Sequence, residues 1–268
     1  MIRLKNLTKI FNKGSVNENL AVNRVSIDVK RGDFITVIGS NGAGKSTLLN
    51  LIAGVYPPEI GKVIIDGRNV TSLKEHQRAK FIGRVFQDPM MGTSGSMTIE
   101  ENFSIALARG RRRTLAFGVN QKSREIFRGR LSLLGLGLED RLSDKVGLLS
   151  GGQRQSLTLL MATLNSPKVL LLDEHTAALD PKTAKLVMDI TRRIIETYNL
   201  TTVMITHNMQ QALANGNRLI MMHQGRVIFD VKGPERDRMT VEDLLDHFGK
   251  LRGSLADKTL LSIKTEAP

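Results

Sequence analysis

The stretch Gly39-Ser40-Asn41-Gly42-Ala43-Gly44-Lys45-Ser46-Thr47 decides how this chain folds. It fits the pattern G-x-x-x-x-G-K-[ST], in which glycines let backbone N–H groups turn toward a bound phosphate. The apolar run at 34–38 predicts a buried strand before it, and the run at 48–53 predicts a helix after it. The start of a helix adds unpaired donors and a favourable dipole. The stretch therefore predicts a nucleotide phosphate site, in which Lys45 reaches the β- and γ-phosphates and the Ser46 hydroxyl binds Mg²⁺.

The remainder of the chain alternates between strand and helix patterns. Predicted strands lie at 2–7, 25–29, 61–67, 81–86, 168–172, 201–206, 219–222 and 226–231. Predicted helices lie at 98–108, 123–134, 153–164 and 182–198. Thr98 and Glu101 form a capping-box pattern, and Pro181 occupies a first helical position. This alternation predicts an α/β fold with a largely parallel sheet.

The C-terminal segment predicts one more helix, which Thr240 would cap. Apolar residues recur on one face of this helix, at Val241, Leu244, Leu245, Phe248 and Leu251. We expect the stripe to pack on the parent domain, and docking on a partner chain is the alternative.

The composition excludes several classes of protein. The 268 residues include no cysteine, which rules out disulfides, thiolate zinc sites and a thiol nucleophile. The first residues mix Arg3, Lys5 and Lys9 with apolar side chains, unlike a signal peptide. No apolar run approaches the roughly 20 residues of a membrane helix. We therefore expect a soluble, cytoplasmic protein.

The net charge of +13 is concentrated in one segment. Between residues 109 and 130 there are eight Lys or Arg side chains and one acid, Glu125. The densest part is Arg109-Gly110-Arg111-Arg112-Arg113. Such a segment is either a solvated loop or a surface that meets anionic inner-leaflet lipids or acidic protein loops.

A second glycine-rich motif is Ser150-Gly151-Gly152-Gln153, directly before a predicted helix. A serine hydroxyl, exposed N–H groups and a helix N-terminus together suit an anion, although this motif has no lysine. One interpretation is that it caps a phosphate held by another copy of the chain. The alternative is a glycine-rich turn that only caps the helix.

The apolar run at 169–172 ends in two acids, Asp173 and Glu174. A buried parallel strand places its last residues at the carboxyl edge of the sheet, where α/β proteins bind ligands. There Asp173 would hold Mg²⁺ through water, and Glu174 would polarise the attacking water. The alternative is a pair of acids at a strand end that solvent satisfies.

The order of these motifs closely resembles the ATP-binding subunit of ABC transporters. The resemblance covers about residues 1–232. It rests on the segments 39–47, 149–153, 169–174 and 178–180 and on Gln87 and His207. It implies an α/β P-loop NTPase fold with a RecA-like core, an antiparallel β subdomain and a helical subdomain specific to ABC proteins. We expect the core and β subdomain at 1–88 and 165–235, the helical signature subdomain at 89–164 and a helical tail at 236–268.

The resemblance also implies a role for each site residue. ATP lies on the 39–47 stretch, and the 150–153 motif of the opposite subunit contacts its γ-phosphate. Gln87 touches Mg²⁺ or its water and relays contact to the membrane partner. Glu174 is the catalytic carboxylate, and His207 senses the γ-phosphate.

Two positions depart from the pattern of the family. Phe11 stands where the family usually has a tyrosine that stacks on adenine. Because stacking needs only the face of a ring, we expect Phe11 to serve. His175 stands where the family usually has proline, and we expect a structural role for it.

The partners implied by the resemblance are a second copy of the chain, integral-membrane permease subunits and, indirectly, a solute-binding protein. The protein would then lie at the cytoplasmic face of the cell membrane. The segment 97–102 and the arginines after it look similar to bacterial uptake ATPases of the tryptophan/tyrosine type. We therefore expect an importer of amino acids or another small solute.

Two other classes of ABC protein are alternatives. One is an exporter or lipid-extruding ATPase. The other is a soluble ABC ATPase that acts on ribosomes or nucleic acid. The chain has a single cassette, and residues 48–148 show no long heptad pattern, so we expect no nucleic-acid partner.

Overall fold

The computed structural model describes residues 1–110 and 118–252, with the side chains of 250–252 left out. The chain divides into two compact units. The first comprises Met1–Ser72 and the chain from Val203 onward, and the second comprises Leu73–Thr202. The expected domain bounds at 88, 164 and 235 stay a prediction.

The described strands are β1 Ile2–Phe11, β2 Asn19–Val29, β3 Phe34–Gly39, β4 Ile60–Ile65, β5 Arg68–Asn69, β6 Ile82–Val85, β7 Val169–Asp173, β8 Thr201–Ile205, β9 Arg218–His223 and β10 Arg226–Lys232. The described helices are α1 Lys45–Ala53, α2 Glu75–Arg78, α3 Ile99–Leu107, α4 Gln121–Leu131, α5 Gly151–Thr163, α6 Pro181–Tyr198, α7 Met209–Ala214, α8 Pro234–Asp237 and α9 Val241–Arg252. All the predicted strands and helices are confirmed. Most of their ends differ by up to four residues from the prediction, and β2 begins at Asn19, six residues before its predicted start. None of the helices in the described part of the chain is long and apolar enough to span a membrane.

The first unit contains two sheets. Strands β2, β1, β4 and β5 form an antiparallel sheet in that order. In the other sheet β10, β9 and β3 are neighbours, β9 and β10 pair antiparallel, and β3 and β9 pair parallel. Every residue of β3 is buried, as expected of a strand covered on both faces.

The second unit combines helices with the parallel pair β6 and β7. Its α3 begins with the predicted capping box, in which the Thr98 hydroxyl accepts from the Glu101 N–H and the Glu101 carboxylate accepts from the Thr98 N–H. Phe103 and Phe127 meet edge to face at 5.3 Å between ring centres and are fully buried. The aromatic pair packs α3 against α4.

The tail helix α9 packs on the first unit. The side chain of Thr240 accepts a hydrogen bond from the Asp243 N–H at the start of the helix. Leu244 and Phe248 are buried against a core that includes Ile38 and Met221. The predicted packing on the parent domain is therefore confirmed for these residues, and the side chain of Leu251 lies outside the described part.

Truncation of the buried face of α9 tests this packing. We expect Phe248→Ala to lower the free energy of unfolding by about 3 kcal/mol, because it leaves a cavity in the core. Asp246→Ala, on the exposed side of the same helix, should change it by less than about 0.5 kcal/mol. Urea unfolding curves of both variants provide the measurement. Equal midpoints for the two variants would show that burial of Phe248 adds no stability.

Candidate functional site

The predicted site residues fall into two groups, one in each unit. The first unit carries Phe11, the 39–47 stretch and His207. The second carries Gln87, the 150–153 motif and the acids Asp173 and Glu174.

The phosphate loop connects β3 to α1, as predicted. The Lys45 ammonium donates to the carbonyl oxygens of Gly39 and Ser40 at 2.7 and 3.0 Å. These contacts hold a buried lysine inside the curve of the loop, whereas Asn41, Gly42 and Ser46 are exposed. The curled backbone, the lysine and the helix start provide the donors that a polyphosphate needs.

The shape of this loop is fixed by its neighbours. Gly44 has φ +95°, and a Cβ there would lie 2.2 Å from the carbonyl oxygen of Ala21. The turn between β9 and β10 also holds the loop, because the Gly225 N–H donates to the Ala43 carbonyl at 3.1 Å. Gly42 has φ +74°, but a Cβ there would meet nothing within 4 Å. Gly44 is therefore held by both its backbone angle and its surroundings, whereas Gly42 is held by its backbone angle alone.

His207 follows β8 in a well-anchored turn. The Thr206 N–H donates to the Val37 carbonyl of β3 at 3.2 Å, two residues before the phosphate loop begins. The Thr206 hydroxyl donates to the Gln211 side chain at 2.6 Å, and Asn208 caps α7. Within the first unit, His207 therefore follows Thr206, whose backbone is hydrogen-bonded to β3, the strand that leads into the phosphate loop.

Phe11 ends β1 and contacts an aromatic residue that sequence reasoning missed. Its ring meets the ring of Tyr56 edge to face, with 5.2 Å between centres and 84° between planes. The Lys9 ammonium lies 5.3 Å from the centre of the Phe11 ring and forms an ion pair with Glu59 at 2.7 Å. The only sequence signal for Tyr56 was that the chain has just two tyrosines. Phe11 is therefore part of a cluster of rings and charges.

Gln87 is exposed and lies two residues after the end of β6. The backbone before it is held by Gln155, whose fully buried side-chain amide donates to the Phe86 carbonyl at 3.0 Å. Gln155 belongs to α5, so a residue just after the 150–153 motif fixes the strand end that precedes Gln87. Sequence reasoning missed this link, because nothing local to either segment indicates it.

The 150–153 motif forms a complete capping box. The Ser150 hydroxyl accepts from the Gln153 N–H at 3.3 Å, and the Gln153 side chain accepts from the Ser150 N–H at 3.1 Å. A Cβ at Gly152 would lie 2.2 Å from a methyl carbon of Thr183, so this glycine allows α5 and α6 to pack closely. The motif therefore caps a helix, and its serine and first glycine are exposed.

The two acids at the end of β7 have different environments. Asp173 forms an ion pair with Arg84 at 3.4 Å, with both side chains mostly buried. Glu174 has φ +46°, an uncommon backbone angle for a residue with a side chain. Its carbonyl accepts from the Ala177 N–H at 2.9 Å. Asp180 then caps α6, and hydrogen bonds from Thr183 lower the pKa of its carboxyl.

His175, the next residue after these acids, is buried, and its contacts fit the structural role expected for it. Its Nε2 lies 3.1 Å from the Thr191 hydroxyl of α6. Because that hydroxyl donates to the Val187 carbonyl at 2.7 Å, His175 is the donor in the first contact. Burial lowers the pKa of His175 to about 4. The side chain is therefore a neutral anchor between the acids and α6.

The described residues contain no cluster of three or more histidines and acids that could hold a metal by themselves. Of the predicted magnesium ligands, Ser46 offers a hydroxyl, Gln87 an amide and Asp173 a carboxylate. These are the hard oxygen donors that Mg²⁺ takes, usually one or two from protein alongside water and substrate phosphates. The donor chemistry therefore fits a magnesium ion that binds together with a nucleotide.

Two glycines of the phosphate loop form a matched pair for mutation. We expect Gly44→Ala to abolish measurable ATP binding, because the added Cβ collides with a backbone carbonyl that cannot move alone. Gly42→Ala introduces only backbone strain of about 1 kcal/mol, so its Kd for ATP should rise about tenfold or less. Equilibrium titration with ATP measures both. Equal losses would show that strain, and not the contact with Ala21, dominates.

The burial of His175 predicts a pH dependence of stability. The unfolded chain takes up a proton near the ordinary pKa of 6.5, whereas the folded protein does so only near 4. Stability is therefore fully present above pH 6.5 and falls as the pH drops toward 4, by about 3 kcal/mol in all and about 2 kcal/mol between pH 7 and pH 5.

His175→Gln, which keeps an N–H donor for Thr191, should lack this component of the pH dependence. The measurement is the free energy of unfolding in urea at pH 7 and pH 5 for both proteins. Parallel pH profiles of wild type and variant would contradict the prediction.

Comparison with known proteins gives consistent matches. A family model described as ABC transporter matches residues 22–177. The chain is 47% identical to a tyrosine transport ATP-binding protein of Clostridioides difficile strain R20291, over 92% of this chain and 98% of that protein. It is 35% identical to a methionine import ATP-binding protein of Oceanobacillus iheyensis, over 90% of this chain and 70% of that protein.

Solved structures agree with these matches. A dimeric ATP-binding cassette in a post-hydrolysis state, bound to ADP and Pi, matches with a TM-score of 0.74 and 30% identity. The match covers 90% of this chain and all of that one. The P-loop NTPase fold inferred from the motifs is thereby confirmed. The chain belongs to the ABC transporter family and is one of its ATP-binding and ATP-hydrolysing subunits.

Proposed function

We propose that this subunit drives an importer of amino acids, with tyrosine or a related aromatic amino acid as the cargo. The observation that carries the proposal is the 47% identity that extends over nearly the whole of a tyrosine transport ATP-binding protein. The more distant methionine import protein supports the broader class of amino-acid uptake. Cargo recognition itself lies in other subunits, because an ATPase subunit does not touch the transported solute.

The roles that the family resemblance implies are proposed for the residues of this chain. The 39–47 stretch binds the phosphates, with Lys45 on the β- and γ-phosphates, and Phe11 stacks on the adenine. Glu174 polarises the attacking water, and His207 senses the γ-phosphate. The geometry that supports these roles is the buried lysine within the loop, the anchored turn at His207 and the defined backbone at Glu174.

Magnesium completes the proposed chemistry. Ser46, Gln87 and Asp173 would hold the ion, directly or through water, and the ion would neutralise charge on the phosphates. The part played by the chain is to present oxygen donors and to hold their backbones, as Gln155 does for the strand end before Gln87.

We also propose that two copies of the chain act together. The 150–153 motif of one copy would contact the γ-phosphate held by the other, so that ATP bridges the subunits. Binding of ATP then favours the closed dimer, and hydrolysis removes the bridge. The exposed helix start at Ser150 and Gly151 and the dimeric state of a related cassette support this arrangement.

An exposed apolar patch in the second unit supports a membrane-protein partner. Met90 and Met91, which follow Gln87 closely, and Leu148 are 45%, 69% and 73% exposed. Arg154 ties these segments together, because its guanidinium contacts the Met90 sulfur at 3.0 Å and the Gly147 carbonyl at 3.1 Å. Exposed apolar patches of this kind mark interaction sites. We propose that a cytoplasmic segment of a permease docks here and holds the subunit at the cytoplasmic face of the membrane.

The basic segment contributes less to a lipid surface than its sequence predicts. Arg109 turns inward and donates to the Ala162 carbonyl at 2.8 Å, so it does not fit the expected contact with inner-leaflet lipids. Arg124 binds Glu100 at 2.7 Å, and the Arg130 guanidinium lies 5.2 Å from the ring centre of Tyr198. The lipid proposal therefore rests on Arg111, Arg112 and Arg113, which lie outside the described residues.

The alternatives differ from this proposal in their partners. An exporter or lipid-extruding system would also have membrane subunits, but it would have no use for a solute-binding protein. A soluble ATPase that acts on ribosomes or nucleic acid would have no membrane subunit. The import and transport names of the related proteins favour uptake.

The decisive experiment purifies the tagged chain from detergent-solubilised membranes of cells that express it. We expect a multi-span membrane protein to co-purify, and the complex to hydrolyse ATP faster when a solute-binding protein loaded with tyrosine is added. Glu174→Gln should keep the membrane partner and bound ATP while the hydrolysis rate falls at least about 100-fold, because the water loses its polarising carboxylate. Co-purification of ribosomes or nucleic acid alone would overturn the transporter proposal. Normal turnover by the variant would remove Glu174 from its role.

A further inference from the structure

Arg84 is a cation placed beside the proposed magnesium-binding carboxylate. It lies on β6, which pairs parallel with β7 so that Arg84 is opposite Leu171, two residues before Asp173. The Arg84 Nη2 atom is 3.4 Å from an oxygen of Asp173, and the two side chains are 13% and 17% exposed. Little water is available to screen the attraction between these charges.

The position of Arg84 is fixed by more than its ion pair. The guanidinium carbon lies 4.5 Å from the centre of the Phe86 ring, within the range of a cation–π contact. Phe86 is two residues further along the same segment, and Gln155 holds its carbonyl. The Arg84 Nε atom is buried and has no hydrogen-bond partner among the described residues. A guanidinium stacked on a ring and desolvated in this way is held in place and has little freedom to leave for solvent.

We propose that Arg84 is a positioning residue that orients the Asp173 carboxylate and weakens its affinity for a divalent cation. The inference rests on the proposed role of Asp173 in holding Mg²⁺. A guanidinium within 4 Å of the carboxylate repels an incoming cation, so Asp173 alone would bind Mg²⁺ poorly. The phosphates of ATP must then supply much of the attraction. Release of the phosphates after hydrolysis would also release the ion.

The charge of Arg84, and not its packing alone, is the tested property. Arg84→Met keeps a long flexible side chain beside Phe86 and removes the charge, whereas Arg84→Lys keeps the charge. Both changes are made in the Glu174→Gln background, so that ATP stays intact during the measurement. The probe is Mn²⁺, whose binding to the protein–ATP complex is followed by electron paramagnetic resonance.

We expect Arg84→Met to lower the Kd for Mn²⁺ at least fivefold, and Arg84→Lys to stay within twofold of the parent. A structural role would lower thermal stability without tightening metal binding. An unchanged or weaker affinity for Mn²⁺ in Arg84→Met would overturn the proposal. Should that variant not fold, Phe86→Leu, which frees Arg84 to move, should give a smaller shift in the same direction, and no shift would overturn it.

A separate variant tests the proposed role of Asp173 in metal binding. Asp173→Asn, in the same background, should raise the Kd for Mn²⁺ whatever the role of Arg84. If Asp173→Asn leaves this Kd unchanged, Asp173 is not a metal-binding residue, and the inference fails with the proposed function. If Asp173→Asn weakens binding and Arg84→Met does not tighten it, only the inference about Arg84 fails.

Discussion

The carbonyl of Ala21 leaves no room for a side chain at Gly44, and the phosphate loop depends on this close approach. The loop must curl tightly enough for Lys45 to reach the carbonyls of Gly39 and Ser40. A neighbouring strand and the β9–β10 turn hold it in that curve. The rest of the first unit supports β3, the strand that leads into the loop. β9 pairs with β3, and the core that contains Ile38 of β3 includes residues of α9. A loop fixed in this way presents its donors without reorganisation when an anion arrives.

In the second unit, contacts from neighbouring elements support the segment that carries Asp173 and Glu174. Arg84 faces Asp173 from the next strand, and His175 anchors the following segment to α6 through Thr191. The two contacts differ in kind, because one brings a charge close to a carboxylate and the other is neutral. Together they explain how a segment with an uncommon backbone angle at Glu174 keeps a defined shape. An active carboxylate needs such support, since a small displacement costs much of the rate.

Local patterns in the sequence were sufficient to predict the helices, the strands and the motifs. The capping box at Thr98, the apolar spacing in α9 and the strand before the phosphate loop are local signals, and each is present in the structure. The contacts that support the site are not local. Gln155 reaches the carbonyl of a residue 69 positions away, and Arg84 reaches an acid 89 positions away. The sequence shows that Arg109 is charged but not that its side chain turns inward. That orientation depends on how the Arg109 side chain packs against α5, where it donates to a backbone carbonyl.

The capping box at Ser150 has a consequence for the hydroxyl itself. The oxygen accepts a hydrogen bond from the Gln153 N–H, so its own hydrogen is left to donate elsewhere. The reciprocal bond from Gln153 restrains both side chains in one rotamer. Beside this hydroxyl, the exposed Gly151 contributes one of the first N–H groups of the helix, which has no partner within the helix. Fixing a polar side chain in one rotamer costs conformational entropy, and this cost normally arises when a ligand binds. The Ser150 side chain is already fixed in the folded protein, so the cost arises during folding instead.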